Sequence, residues 1–585
     1  MSHTDFQLDY RNPSRIQTTA EQVAIRFSPD AQRNPAFFTG EFTNPLPFRE
    51  ALSALYGVVE SDFRYKAKDR TQYMQYLQRQ AQQQKQSSEA ASRMRKAESA
   101  IRTQLEEEDP EEDISDILDP LVSIHPDEAF FEVFSKDEST YARLSLDWDL
   151  FTEVKDLQYG TTHIDFSKEL YNSLQNIRSY KTTSLEVEQE GFQVAKKESP
   201  AHQKEYHVPD SWLRGFLQVQ SAASLSMEMF ELAPIDLYNI LGFLRRNKSK
   251  KSPRGLRFEL VPDQTPRIIL EPWEKVFFSQ ASTPYKGHRS QIIRLWGRRR
   301  LMLLARLLPI TKSVKVYTLG SGLPTFYVLD MDGMYFTLGL SGWTANDWSS
   351  STRFDLLLPQ NVPAATKKAQ KAFDKERKKL EEILQNSWSI SIDDLSEDLD
   401  ISKEKTLAHL QHACQTGRVT VDLHKRDEDN PYGRFRYREL TASPLDLKRL
   451  RFRNPREAQA HKLLATHAEK PTVHIRKLNH VLGAGTEVTG EVEDHEAFRT
   501  YQVSFFVDLD GRMSRAKCSS PWYQKTKSKE GPSEYILALR LLYEKQKNEE
   551  AEARRTGQDR QVIVAETRSF SKREGSGESI YQLML

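Results

Sequence analysis

The residues whose types and spacing come nearest to a reactive constellation are Cys518-x-Ser520 and, twelve residues further on, Ser533-x-Tyr535. The first pair leaves a predicted strand and the second enters a predicted helix, a layout that lets four side chains converge on one metal ion. The residue types do not supply the ligands. A structural zinc takes thiolates and imidazoles, hydroxyls are poor ligands, and one thiolate does not close a tetrahedral shell. The only other cysteine, Cys414, falls in a different predicted module, so count excludes a disulfide framework or an all-cysteine site. His461, His467, His474, His480 and His495 lie upstream but are scattered, as solvent-facing histidines are. No metal ligand is therefore assigned.

Signatures of catalysis fail on detail. Gly483-Ala484-Gly485 lacks the lysine of a phosphate-cradling loop, and His495-Glu496-Ala497-Phe498-Arg499 lacks the second histidine of a zinc-protease helix. Gly339-Leu340-Ser341-Gly342 is one residue short of a nucleophile elbow. Pro262-Asp263 and Glu271 suggest a nuclease carboxylate pair, yet Trp273 stands where its lysine belongs. The chain is read as having no catalytic activity of its own.

Binding chemistry is better supplied. The net charge of +1 hides local polarity: Glu106 to Asp119 carries nine acids and no Lys or Arg, whereas Arg245 to Arg306 holds sixteen Lys/Arg against four acids. Arg245, Arg246, Lys248, Lys250 and Lys251, with Arg298, Arg299 and Arg300, form a candidate anion-binding face, and Trp273, Tyr285 and Trp296 are interleaved for stacking on bases. A solvated basic face, or one facing the chain's own acidic run, explains the same pattern. A second candidate surface combines Trp522 and Tyr523 with the Lys525, Lys527 and Lys529 loop.

The elements that must position these residues follow from periodicity. At 585 residues, 38% hydrophobic and 29% charged, the chain is long enough for several cores and has no apolar run of membrane-spanning length. Its first residues lack the pattern of a secretion signal, so a cytoplasmic location is expected. Four regions are expected: 1–115, mostly helical and ending in the acidic linker; 116–358, a central α+β domain with the basic face; 368–440; and 465–585. Within the second, Phe130 to Phe134 and Tyr141 to Leu146 read as a hairpin, Trp148 to Leu157 and Ser167 to Ile177 as helices, and WGRRRLMLLARLL as a helix with its arginines outside. The third shows three helices and a final hairpin, the plan of a winged helix. Its recognition helix would turn Lys403, Lys405, His409 and His412 outward, and Arg434, Arg436 and Arg438 would lie on its wing. Asp393, Asp394, Glu397, Asp398 and Asp400 crowd the preceding helix, which favours docking to protein over binding to nucleic acid. The fourth reads as a strand Tyr501 to Leu509, a return strand to Cys518, a lysine-rich loop, a helix from Ser533, and strands at Val562 to Phe570 and Ile580 to Leu585.

The Cys518-x-Ser520…Ser533-x-Tyr535 pattern, followed by ILALRLLY, resembles the SWIM zinc finger, whose pattern is Cys-x-Cys, a variable loop, then Cys-x-His at a helix start. Only Cys518 matches a ligand of that family; Ser520, Ser533 and Tyr535 replace the others. The strings VPDSWLRGFLQVQSA, ILGFLRRNKSK, IRLWGRRRL and LPTFYVLDMDGMYFTLGLSGW, with the late winged-helix unit, look like bacterial SWIM-containing proteins associated with a MoxR-type AAA+ ATPase and a von Willebrand A protein. The resemblance implies an α+β multidomain protein with a winged-helix unit and a ββα SWIM-like module. It implies a zinc cofactor in the family, which these residues would not hold, and an adaptor role beside the ATPase. The alternative is a nucleic-acid-binding protein using the central basic face and the winged helix.

Overall fold

The computed structural model describes residues 7–10, 12–63, 119–188, 204–249, 254–279, 281–288, 290–295, 297–319, 324–341, 348, 367–427, 429–441, 445, 452, 455–465, 472–481, 485–508, 513–526 and 532–556. The protein is mixed α+β with several sheets. It divides into two compact units: Met1–Ala223 with Leu303–Lys312 and Leu329–Leu445, and Ser224–Met302 with Ser313–Val328 and Asp446–Leu585. Among the described residues, no helix is long and apolar enough to cross a membrane. The acidic run up to residue 118 and the expected strands after Val562 lie outside the described residues.

In the first unit, strands Met334–Leu340, Thr140–Asp147, Glu128–Phe134, Leu121–Ile124 and Gly160–His163 pair in that order, all antiparallel. The register sets Glu132 opposite Arg143 and Phe130 opposite Ser145. Because side chains alternate across a strand, Glu128, Phe130, Glu132, Arg143 and Ser145 share one face, while Ala129, Phe131, Val133, Ala142, Leu144 and Leu146 share the other. Both faces are buried. Helix Pro45–Glu60, begun by Pro45 and capped by Asn44, packs on these strands. The helix expected at Trp148 to Leu157 is instead a single 3-10 turn, Trp148–Leu150, followed by strand Phe151–Gln158. That strand pairs with Phe37–Phe42 at the edge of a second sheet. In a run this short the apolar residues fit either period, and the sheet edge decides between them.

The same unit contains helices Lys367–Ser387, Ile392–Leu399 and Lys403–Gln415, then strands Val419–Asp422 and Arg434–Tyr437. Ser391 and Ser402 cap the second and third helices. Gly417 ends the third at φ 76°, a left-handed position that favours glycine. The short strand Ser389–Ile390 completes a three-stranded sheet.

In the second unit, strands Lys275–Phe278, Arg267–Leu270, Leu256–Leu260 and Gln291–Leu295 form one antiparallel sheet, with Phe258, Ile268 and Ile293 in register and buried. The predicted helix through WGRRRLMLLARLL is not formed. The chain turns at Gly297 (φ 79°), and only 3-10 turns follow, at Arg300–Leu304 and, within the stretch Leu303–Lys312 that belongs to the first unit, at Leu308–Ile310. A Cβ at position 297 would meet the Arg300 guanidinium, so the turn is built around that buried side chain. Pro309 then interrupts the run.

The C-terminal part of this unit is a four-stranded antiparallel sheet, Val473–Val481, Gly485–Asp494, Arg499–Asp508 and Met513–Cys518, covered by helices Pro455–Ala465 and Glu534–Thr556. Two strands were expected here, and two more precede them. The expected lysine-rich loop begins as a helix, Pro521–Thr526. Val488, Val492, Val503, Phe505, Ile536 and Leu539 make the core. A methyl group on Gly490 would collide with Leu539 and the His474 carbonyl, so glycine permits the close seat of the last helix.

Candidate functional site

Strand Met513–Cys518 and helix Glu534–Thr556 bring Cys518, Ser520, Ser533 and Tyr535 into the described core, all four buried. Each already has a partner. The Cys518 thiol donates to Ser520 Oγ at 3.3 Å and its sulfur accepts from the Ser520 N–H at 3.4 Å. Ser520 Oγ also accepts from the Tyr523 N–H, and Ser533 Oγ from the Ile536 N–H, both at 3.4 Å, so the two serines cap the helices that follow. The Tyr535 ring packs at a tilt against Tyr501, centroids 4.3 Å apart, and its hydroxyl donates to Asp494 Oδ2 at 2.7 Å. Burial, then the Asp494 hydrogen bond, raises the Tyr535 pKa, keeping the phenol protonated. One thiol, two capping hydroxyls and a protonated phenol do not fit a zinc ion.

Asp494, which sequence reasoning missed, ties these parts together. Its Oδ1 accepts from the N–H groups of Glu496 (3.0 Å) and Ala497 (2.9 Å) while Oδ2 holds Tyr535. The first turn of the last helix is thus fastened to the turn between strands Gly485–Asp494 and Arg499–Asp508. Among the neighbouring candidates, Trp522 is half-buried with the Arg456 guanidinium 4.7 Å over its ring. Tyr523 is buried and donates to the Ala516 carbonyl at 3.0 Å, so its ring does not face a partner. Lys525 is exposed; Lys527 and Lys529 lie outside the described residues.

The central basic face is smaller than the charge count suggests. Arg245, Arg246 and Lys248, at the end of helix Pro234–Arg246, are exposed, as is Arg299; Lys250, Lys251 and Trp296 lie outside the described residues. Arg298 and Arg300 are buried, contrary to the outward placement expected of them. Arg298 donates to the Glu271 carbonyl and lies 4.9 Å over Trp273. Other cations are matched by the few acids: Glu271 accepts from Arg294 at 2.7 Å, Glu274 from Arg257 at 2.6 Å, and Glu259 faces Arg267 at 3.1 Å. Tyr285 is buried and bonded to Glu228, and so is not a stacking platform.

In the first unit the expected wing is closed in. Arg436 and Arg438 are fully buried against the polar face of the sheet. Arg438 donates to Glu132 at 2.8 Å, and Glu132 also accepts from Tyr141 (2.7 Å) and Gln220 (3.4 Å). Arg436 holds Asp127 at 2.6 Å, Glu128 at 3.3 Å and Asp422, while Arg143 holds Glu128 at 2.6 Å and the same Asp422. Glu128, Asp422 and His424 offer ligand atoms within 4.8 Å of one another, but the two guanidinium groups among them already supply the positive charge that a cation would bring. Burial would raise the Glu128 and Asp422 pKa values; the guanidiniums, joined at Glu128 by His424, overcome it and hold both below the usual carboxylate range. Burial, then Arg436, pushes His125 down to about 3. On helix Lys403–Gln415, Lys403 and Lys405 are exposed but paired with Asp393 (2.8 Å) and Glu376 (2.6 Å). His409, expected outward, is buried against Glu376 and Phe373.

No family model matches the chain, and no curated protein matches it. Among solved structures, it is similar at 10% identity and a TM-score of 0.32 to Proliferating Cellular Nuclear Antigen from Entamoeba histolytica, covering 52% of this chain and 98% of that one. It is similar at 11% identity and a TM-score of 0.27 to a structure titled C-terminal region of FEN-1 bound to A. fulgidus PCNA, covering 38% and 89%.

Proposed function

We propose that this chain is a non-catalytic cytoplasmic adaptor of bacteria whose C-terminal module is a SWIM-type finger working without zinc. It acts beside a MoxR-type AAA+ ATPase and a von Willebrand A protein. One observation carries the reading: the four finger positions are engaged in hydrogen bonds that close the core, with Tyr535 and Asp494 making the fastening that a metal would otherwise make. A module that no longer needs its metal keeps its shape and its surface, and a surface is what an adaptor uses. The segment 368–440 is read as a winged helix whose wing is spent on its own chain, through Arg436 and Arg438, rather than on DNA.

The test is binding of the purified full chain to the purified ATPase and von Willebrand A protein of the same source, with and without ATP. The reading expects a stable complex with at least one of them. Binding to neither contradicts it. A nucleic-acid role would rest on Arg245, Arg246, Lys248 and Arg299, and four phosphate contacts give a log–log salt slope of at most about −4. Salt-sensitive binding of that size, lost in the R245A/R246A/K248A variant, would replace the adaptor reading.

A further inference from the structure

Helix Pro234–Arg246 buries Leu237, Ile240 and Leu241 on one face, as the 3.6-residue period requires. On the opposite face, at helical spacings of three and four, stand Ile235 (55% exposed), Tyr238 (50% exposed), half-buried Gly242, and exposed Arg245 and Arg246. This outward face is therefore apolar in its first half and cationic in its last, and Lys248 continues the charge just past the helix end. It carries a single sign of charge. Asp236, the helix's one acid, is held at the side by the Ser279 and Ser282 hydroxyls, which donate to it at 2.6 and 2.9 Å. Among the described residues no acid pairs with Arg245, Arg246 or Lys248. Gly242 lies midway along the face. Among the described residues, a Cβ there would meet only the tip of the Arg246 side chain, at 3.8 Å, so packing within the chain does not ask for glycine. Glycine weakens a helix interior, and on an outward face it leaves room for a second backbone to come close.

We propose that this face docks an acidic amphipathic helix of a partner protein, lying antiparallel to Pro234–Arg246 and crossing it most closely at Gly242. The inference rests on the adaptor reading. Acids are best placed in the first turn of a helix and cations in the last. An incoming helix that sets its acidic first turn on Arg245 and Arg246 runs antiparallel, and its next turns bring apolar side chains over Tyr238 and Ile235. The distance between two packed helices is set by the side chains at their crossing, and glycine makes it short. Charge complementarity gives the sign of the partner, and the apolar half of the face gives its kind. A phosphate backbone would meet Arg245, Arg246 and Lys248, but it offers Ile235 no apolar surface.

The experiment titrates full-length wild type, Gly242→Leu and the double variant R245E/R246E against the purified ATPase and von Willebrand A protein, with thermal melting of every chain. The wild type is expected to bind, and each variant to bind at least about tenfold more weakly. G242L is expected to melt at or above the wild-type temperature, since leucine is the better helix former and only a close partner meets its side chain. Equal binding by either variant overturns the docking face and leaves the adaptor reading standing. No binding by the wild type removes the adaptor reading and this face with it. Weaker binding by a G242L chain that also melts clearly lower makes Gly242 a packing residue, which overturns the proposal too. A labelled single-stranded oligonucleotide is titrated alongside. Oligonucleotide binding that R245E/R246E abolishes and G242L leaves unchanged assigns the face to nucleic acid, and self-association that G242L abolishes assigns it to a second copy; either result overturns the proposal.

Discussion

At the scale of single residues, Tyr535 and Asp494 carry the account of the C-terminal module. A buried carboxylate oxygen that loses its donor incurs a desolvation penalty, so Tyr535→Phe is expected to lower unfolding stability by about 1–3 kcal/mol in urea titrations. Cys518 and the Ser-x-Tyr pair were legible in the sequence because their spacing is local. Asp494 was not: it lies forty-one residues before Tyr535, and an aspartate at a hairpin end reads as an ordinary turn residue. Arg298 and Arg300 show the opposite failure. Sequence places arginines outside by default, and only the Gly297 turn, with Glu271 and Trp273 beside it, shows why these two are inside.

At the scale of elements, the sheet containing Glu128–Phe134 shows what alternation reveals and what it omits. The hairpin of Phe130 to Phe134 and Tyr141 to Leu146 was readable from period 2, and the strands Leu121–Ile124 and Gly160–His163 beside it were not. That the polar face would be buried was not, because the residues that close it, Arg436 and Arg438, lie some three hundred positions away. Removing one partner of a buried pair leaves the other uncompensated, so Arg438→Met is expected to cost about 3–5 kcal/mol, measured by denaturant unfolding. Acid should act on the same interface. His125 stays neutral in the folded chain, pushed down to about 3 from 6.5, so below pH 6.5 the unfolded chain takes up a proton that the folded one refuses. Glu128 and Asp422, held below their ordinary values, stabilise the fold above those values and lose that contribution as pH falls. The urea midpoint should therefore drop between about pH 7.5 and pH 5, and further below about pH 4. A midpoint flat across that window would contradict the buried network.

At the scale of the whole molecule, two compact units are built from interleaved stretches of chain, and several arginines that the sequence places outside are buried. The sequence count of sixteen cations against four acids suggested an open basic face, yet burial and pairing consume Arg257, Arg267, Arg294, Arg298 and Arg300. Arg245, Arg246 and Lys248 remain exposed, and their joint change to alanine should leave stability within about 0.5 kcal/mol, since surface substitutions rarely exceed that. The C-terminal module holds Cys518, Ser520, Ser533 and Tyr535 in side-chain hydrogen bonds at the positions where the SWIM pattern carries zinc ligands. Metal content of the purified full chain, with melting before and after chelation, tests it most directly. Below about 0.1 equivalent of zinc is expected, with a melting temperature that a chelator does not move. Zinc near one equivalent, lost together with stability in Cys518→Ala, would contradict it.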